Sequence, residues 1–349
     1  MAISTSIWYV PSRGHESSMP PFHGSQHTVK GAIHGDIVIP VLIHAIFATT
    51  VVYFDQYRDT ALRLPSSIIP SLSIVVGLIL VFRNQTSYDR FWQGQNQLTT
   101  ICTSIRNLTR SFLVCSYTGS RENAASPAAS SPAEEADIEN AIRVLLAYVY
   151  AAKAHLRAEW GTALTTLTRN GNEVPSIKLP DRERDGMVDL LQPGMTSYED
   201  RGLGLPVQLT VEIEAFIKRG HDRGWFHAPQ ASQLTVQLNT AVAAFGSMET
   251  IRLTPIPVAY LIHIRQVLAL FGGVLPFALV GDMGWWTVLI VTIVTFTLYG
   301  VEGIGQQLED PFGHDKNDIK MDAVIEDLRV EVMVLLDQWK VKSEMFASG

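Results

Sequence analysis

The residues with the clearest chemical potential lie between positions 74 and 92. Ile74, Leu78 and Phe82 are four residues apart, so at about 100° per residue they form one narrow apolar stripe on a helix. Polar and aromatic side chains follow at once, namely Arg83, Asn84, Asp89, Arg90 and Trp92. A large apolar stripe either packs against another helix or lines a narrow opening. Ser73 and Gly77 on a neighbouring flank would let a helix approach closely, so the spacing alone leaves both interpretations open.

Histidine is the second residue type with chemical potential. His23, His27 and His34 have a spacing that a metal ion could use on a helix. The intervening GSQHT is a poor helix former and no carboxylate lies among these histidines, so we expect no metal here. The chain also contains no Gly-rich phosphate loop, nucleophile elbow or Cys/His metal cluster, and the sequence therefore does not indicate an enzyme.

Composition indicates a membrane protein with a substantial water-exposed part. Of the 349 residues, 47% are hydrophobic and only 17% are charged, and the hydrophobic residues cluster in four segments. The net charge of −7 and the lack of a basic footprint argue against a nucleic-acid partner. The only cysteines are Cys102 and Cys115, so no disulfide framework is expected.

The four apolar segments predict four membrane-spanning helices, at 37–54, 65–82, 255–280 and 284–301. Residues 282 and 283 form the predicted turn between the last two. The second helix is expected to continue out of the bilayer to about residue 113, since the following stretch contains no proline. The His and charged residues inside these segments are His44, His263 and Arg265, which we expect to face protein, water or an interface rather than lipid.

The rest of the chain divides into tails, helical blocks and polar tracts. We predict an N-terminal tail at 1–34, two spans and an exit helix at 35–115, and a disordered Ser/Ala/Pro-rich insert at 116–137. A helical domain follows at 138–252 with a polar insert at 170–205, then two spans at 253–305 and a C-terminal segment with a helix at 306–349. Four spans place both termini on one side. The Lys and Arg distribution puts that side in the cytosol, and the plasma membrane is the expected location.

A resemblance to a known family rests on particular residues. The bestrophin family, and most closely its bacterial and fungal branch, is similar in Phe82-Arg83-Asn84, in Tyr88-Asp89-Arg90-Phe91-Trp92, and in Glu309-Asp310-Pro311-Phe312-Gly313. The resemblance covers most of residues 25 to 340. It implies an all-α membrane protein with four transmembrane helices per subunit, a large helical cytosolic domain and a pentamer around a central ion pathway.

The resemblance also implies which residues line that pathway. The second span of family members lines a hydrophobic neck, and the matching positions here are Ile74, Leu78 and Phe82. Family members have a second, cytosolic constriction, for which Gln230 is the candidate, although a surface position at a helix start fits Gln230 equally well.

Animal bestrophins bind calcium through an acidic run after the proline-glycine motif. A calcium ion needs roughly six to eight oxygens, so the carboxylates of Asp315 and Asp318 would need further ligands, for which the backbone carbonyls of Gln307 and Asp310 are the candidates. His314, Lys316 and Asn317 occupy positions where acids would be expected. Capping of the last helix by Asp318 is the simpler interpretation, which we favour, and no cofactor is then required.

The sequence thus predicts a homopentameric channel that passes chloride and other small anions across a lipid bilayer. Two alternatives remain open: a cation-selective channel of the same fold, and a membrane scaffold that conducts nothing. Arg83 and Arg90 would favour anions if they faced the pathway, whereas Asp89 lies between them and carries the opposite charge.

Overall fold

The computed structural model of the protein describes residues 34–58, 63–118, 131–157, 190 and 203–347. The described residues form eight α-helices and no strand. In chain order they are α1 His34–Tyr57, α2 Ile68–Thr118, α3 Pro132–Leu156, α4 Leu205–Asp222, α5 Ala228–Leu253, α6 Val258–Met283, α7 Trp286–Gln307 and α8 Met321–Ala347.

Four of these helices are long and apolar enough to cross a membrane, as the hydropathy predicts. They are α1, the first part of α2, α6 and α7. α2 is the longest element, with 51 residues and therefore a length of about 76 Å at 1.5 Å per residue. It exceeds the roughly 30 Å of a bilayer core, so one continuous helix joins the membrane part to the helical body beyond it.

A cluster of buried apolar side chains and one buried histidine hold the membrane part together. Val76 and Leu80 of α2 lie in a cluster with buried residues of α1, α6 and α7. His44 of α1 is 7% exposed, and its Nε2 lies 3.3 Å from the Tyr299 hydroxyl. A Cβ at Gly272 would lie 2.8 Å from the His44 ring, so this glycine leaves the space that the imidazole occupies. The expectation that His44 faces protein is confirmed.

The helical body packs around the C-terminal half of α2. Leu98, Ile105 and Phe112 of that half are buried in one core with residues of α3, α4, α5 and α8. Phe112 packs against Phe216 of α4, with ring centroids 4.7 Å apart and the ring planes tilted by 52°. The second half of the helical domain predicted at 138–252 contains α4 and nearly all of α5.

Both bounds predicted for the disordered insert, 116 and 137, are wrong. α2 continues to Thr118 and α3 begins at Pro132, while 119–130 lie outside the described residues. Ser131 is the N-cap of α3, its backbone N–H donates to the Glu134 carboxylate at 3.0 Å, and Pro132 occupies the first helical turn. This local capping starts the helix about six residues before the apolar periodicity does.

Two other sequence boundaries differ from the structure. Most of the predicted polar insert at 170–205 lies outside the described residues, but Leu190 is buried in the core of the helical body and Leu205 begins α4. The turn predicted at 282–283 is helical, because α6 continues to Met283 and the chain turns at Gly284, whose φ of +53° is unfavourable for other residues. His23 and His27 also lie outside the described residues.

The proline-glycine segment after α7 packs directly on α2. A Cβ at Gly94 would lie 3.0 Å from Phe312 Cζ and 3.2 Å from Ile319 Cδ1, so only a glycine lets this ring approach so closely. Phe312 itself is 1% exposed. Gly94 therefore fixes the position of the segment that follows the last span.

We predict opposite effects for alanine at two interior helix glycines. Gly246→Ala in α5 meets nothing within 4 Å and should stabilise the protein by about 0.5–1 kcal/mol through helix propensity. Gly94→Ala should lose that gain and cost about 1 kcal/mol or more, because Phe312 and Ile319 must move. Thermal unfolding of both purified variants measures the difference. A Gly94→Ala protein as stable as Gly246→Ala would contradict the contact with Phe312.

Candidate functional site

α2 has two faces that differ along its whole length. Val76, Leu80 and Arg83 lie on the face that is buried in the subunit, at 3%, 5% and 0% exposure. The predicted stripe lies on the opposite face, with Ile74 69%, Leu78 54% and Phe82 58% exposed. The stripe therefore does not pack against the other helices of its own subunit. Ser73 and Gly77 beside it are exposed as well, and a Cβ at Gly77 would meet nothing within 4 Å.

Arg83 is the largest fully buried side chain of the described chain. Its Nη1 donates to the Ser87 hydroxyl at 2.7 Å, and its Nη2 donates to the Glu309 carboxylate at 2.8 Å. A buried guanidinium without a counter-charge is strongly destabilising, so this ion pair is what permits an arginine at 0% exposure. Sequence reasoning did not pair the two, because 226 residues separate them.

Arg90 ties α2 to two other segments through backbone carbonyls. Its Nη2 and Nη1 donate to the carbonyl oxygens of Ile251 and Thr254, each at 2.6 Å, and its Nε donates to that of Glu309 at 3.0 Å. Ile251 lies in the last turn of α5, where carbonyl groups lack helical partners and carry partial negative charge. A cation is favourable there, and Arg90 fixes α2, α5 and the segment after α7 at one point.

Glu309 is the centre of this junction, which we call the arginine junction (Arg83, Ser87, Arg90 and Glu309). One carboxylate oxygen accepts from Arg83 and the other from the backbone N–H of Ile256, at 3.3 Å, just before α6. The backbone carbonyl of Glu309 accepts from Arg90. The junction thus links α2 to the segments that precede α6 and follow α7.

The junction determines where the charges of Arg83 and Arg90 lie within the subunit. Arg83 is fully buried and Arg90 is partly buried and held by three carbonyls, so neither presents its charge on the exposed face of α2. Asp89 is exposed on that face, and its carboxylate accepts a hydrogen bond from the Gln85 amide at 2.8 Å. Trp92 is also 53% exposed. Asn84 donates to the Leu80 carbonyl at 3.0 Å and lies against Gly305 of α7.

The proline-glycine segment forms a closed loop. The Asp318 carboxylate accepts from the backbone N–H of Asp315 at 2.7 Å, and a Cβ at Gly313 would lie 2.6 Å from Asp318 Oδ2. The predicted role of Asp318 as a cap of α8 is therefore wrong, because its bond points back along the chain and not into the helix. Pro311 is buried beside Phe312.

Three of the four residues considered for calcium, Gln307, Asp310 and Asp318, accept a hydrogen bond on a side-chain oxygen within this loop. Gln307 Oε1 accepts from the Asn317 amide at 2.7 Å, and Asp310 Oδ1 accepts from the Phe312 backbone N–H at 3.4 Å. Burial raises the pKa of Asp318, and the neighbouring charges of Asp315 and Asp310 raise it further. In the described part of the chain, no three His, Cys, Asp or Glu side chains are gathered for a metal ion. The absence of a calcium requirement remains a prediction.

Gln230 lies in the first turn of α5 and is exposed. Its side-chain oxygen accepts from the backbone N–H of His227 at 3.1 Å, which completes part of a capping box. The helix-start interpretation therefore describes its contacts within the subunit. Its place near a second constriction remains a prediction.

An ion pair that the sequence did not reveal lies in the membrane part. Arg265 Nε approaches Glu302 of α7 at 3.4 Å, and Arg265 Nη2 donates to Gln306 at 2.9 Å. Glu302 is 7% exposed, and it is the only acid of α7. Arg265 thus has protein partners, as its depth in an apolar segment required.

The matching of this chain to known proteins agrees with its helices and motifs. A family model described as Bacterial/Fungal Bestrophin protein matches residues 17–334. The chain belongs to this family. A voltage-dependent anion channel-forming protein of Synechocystis sp. is 32% identical over 313 residues, covering 89% of this chain and 91% of that protein. Another of Nostoc sp. is 32% identical over 297 residues, covering 85% of each.

Solved structures share the fold of this bestrophin. A point mutant of a bacterial bestrophin homologue from Klebsiella pneumoniae superimposes with a TM-score of 0.67, covering 86% of this chain and 98% of that one. At 21% sequence identity this likeness concerns the fold alone. The predicted all-α membrane fold with four spans per subunit is confirmed.

We predict that Glu309→Ala destabilises this bestrophin by about 3–5 kcal/mol, because it leaves the buried charge of Arg83 without a counter-charge. Asp310→Ala, which removes the adjacent and exposed acid, should cost less than about 1 kcal/mol. Denaturant or thermal unfolding of the purified proteins measures both changes.

A double variant identifies the cause. Arg83→Met combined with Glu309→Ala removes the unpaired buried charge as well and should recover part of the stability that Glu309→Ala loses. Losses that simply add in the double variant would mean that the ion pair does not hold the junction together.

Proposed function

We propose that this bestrophin assembles as a homopentamer and conducts chloride and other small anions through a central pore. The observation that carries the proposal is the exposed face of α2. Its apolar stripe points away from every other helix of the subunit that the structure describes, and the arginine junction fixes the opposite face. A stripe of three large side chains at 54–69% exposure needs either a lipid or protein neighbour or a shared axis.

The anion assignment is supported by relatives. The similar proteins of Synechocystis sp. and Nostoc sp. are named as voltage-dependent anion channel-forming proteins. Each matches at least 85% of this chain, so the similarity spans most of the molecule and not one shared segment. The activity we assign is passive conduction of anions down their gradient, not catalysis.

The pentamer brings five α2 helices around one axis. Ser73 and Gly77 are small and exposed beside the stripe, which lets neighbouring helix backbones approach closely. Ile74, Leu78 and Phe82 then form three stacked rings along roughly 12 Å of the axis. A narrow apolar neck holds water poorly and opposes ion passage until it widens. Gln230, exposed at the start of α5, is the candidate for a second constriction.

Membrane orientation follows from the same proposal. The helical body and both chain ends lie in the cytosol, and the turn at Gly284 and the segment after α1 face the other side of the plasma membrane. Trp285 and Trp286, both exposed, lie where an interfacial aromatic belt is expected. The Asp55–Arg63 ion pair, at 3.0 Å, closes the segment after α1 on that same side.

We also propose that conduction does not depend on calcium. Side-chain oxygens of Gln307, Asp310 and Asp318 accept hydrogen bonds from the loop that follows α7, which supports this proposal. Flux from purified protein in liposomes should be equal with calcium and with a chelator. A flux that rises with calcium, and no longer does so in Asp315→Ala, would contradict this.

A cation-selective channel of the same fold is the second candidate, and Asp89 favours it. The charged groups of Arg83 and Arg90 lie away from the exposed face of α2, whereas the carboxylate of Asp89 lies on it. Reversal potentials in asymmetric sodium chloride decide the sign of the permeant ion. If pure protein gives no flux above empty liposomes, the scaffold alternative replaces both channel assignments.

We predict that a triple change in the neck raises conduction. Replacing Ile74, Leu78 and Phe82 together with Ala removes bulk from the narrowest part of the pore, so the open fraction or the unitary conductance should increase. The pentamer should survive, because the stripe faces water and not a packed interior. Single-channel recording and native mass measurements on the same protein test both statements.

The chain offers a matched control for this experiment. Leu289, Ile293 and Phe296 of α7 contain the same three residue types and are 49%, 56% and 49% exposed. Their replacement with Ala should leave the unitary current unchanged. A neck variant that loses its pentamer but keeps the parent's unitary current would instead place Ile74, Leu78 and Phe82 in a contact between subunits.

A further inference from the structure

The exposed face of α2 continues far beyond the apolar stripe. Residues in phase with Leu78 at about 100° per residue are exposed down the helix. In order, these exposed residues are Gln85, Asp89, Trp92, Asn96, Thr103 and Arg110. The buried residues Ser87, Leu98, Ile105 and Phe112 lie on the opposite side. One face of α2 therefore runs from the neck into the helical body without being covered by its own subunit.

Charges are nearly absent from the surface around this face. Residues 91–105 of α2 and 228–248 of α5 contain no Asp, Glu, Lys or Arg, although 17% of the chain is charged. α5 packs along α2, and the side chains of Asn107 and Gln237 meet at 3.4 Å. Exposed helix faces in water normally carry charged residues. A hydroxyl- and amide-lined surface of this length fits a polar passage between subunits.

Asp89 differs from the residues around it on this surface because its side chain is charged. It accepts from the neutral Gln85 amide, while the arginines on either side are held by Glu309, Ser87 and backbone carbonyls. Further along the face, Arg106 is paired with Glu331 at 2.6 Å. Arg110 lies 21 residues from Asp89, about 32 Å along the helix. Among the residues that the structure describes, the negative charge of Asp89 therefore has no ionic partner within its subunit.

We propose that Asp89 biases the ionic selectivity of the pore towards cations, by adding a ring of negative charge just inside the neck. This inference rests on the proposed channel function. Asp89 lies seven residues after Phe82, so the ring would lie about 10 Å beyond the neck. Rings of carboxylates raise the local concentration of cations and lower that of anions. Whatever the selectivity of the parent protein, loss of this charge shifts it towards anions.

The test compares permeability ratios of full-length protein in planar bilayers. Asp89→Asn should raise the chloride-to-sodium permeability ratio about threefold at 0.15 M salt, and Asp89→Lys should raise it further. Asp89→Glu, which keeps the charge, should match the parent. Asp337→Asn makes the same chemical change at an exposed position on α8 and should leave the ratio unchanged.

Salt dependence separates a charge effect from a structural one. The Debye length grows from about 8 Å at 0.15 M salt to about 30 Å at 0.01 M, so the difference between Asp89→Asn and the parent should increase in dilute salt. Equal ratios for Asp89→Asn and a conducting parent would overturn the role of Asp89 and leave the channel function standing. A parent without flux would overturn both. A shift of the same size in Asp89→Glu would also contradict the proposal, because that variant keeps the charge.

Discussion

The burial of Arg83 is the constraint on which the rest of this bestrophin depends. A guanidinium at 0% exposure requires a carboxylate, and Glu309 supplies it at 2.8 Å. Glu309 can do so only if the segment after α7 lies across α2. Arg90, about two turns further along α2, then donates to the Ile251 carbonyl in the last turn of α5 and to that of Glu309 itself. Two arginines on one helix thus decide where three other segments of the chain meet, namely the end of α5, the segment before α6 and the segment after α7.

Anchoring on one side explains why the other side of α2 is free. The helix is held by Val76 and Leu80 in the membrane part, by the arginine junction at its middle, and by Gly94, which receives the Phe312 ring. All three contacts lie on the same face, so a single helix about 76 Å long presents an apolar stripe and a nearly uncharged polar surface in one line. Such an arrangement suits a pathway that an ion enters through a neck and leaves through a wider polar space.

Sequence patterns predicted those features that depend on neighbouring residues. The four spans follow from hydropathy, and the stripe from a spacing of four. The start of α3 could also have been predicted, because Ser131, Pro132 and Glu134 form a capping pattern. The low-complexity composition of this stretch indicated disorder instead. The pairing of Arg83 with Glu309 was not, because its partners are 226 residues apart and nothing local distinguishes a buried arginine from one that faces a pore. Asp318 shows the same limit: its position before α8 predicts a helix cap, whereas the tight approach of Gly313 turns its carboxylate back into the loop.

Accessibility of α2 to a water-soluble thiol reagent tests most directly whether its exposed face lines the ion pathway. In a Cys102→Ala, Cys115→Ala background, single cysteines at Asp89, Asn96 and Thr103 should react in the assembled protein, and their modification should alter the current. Cysteines at Ser104 and Thr109, which are 2% and 0% exposed on the packed face, should stay unmodified. Protection of the first three positions, or their modification with no change in current, would contradict a pathway along this face.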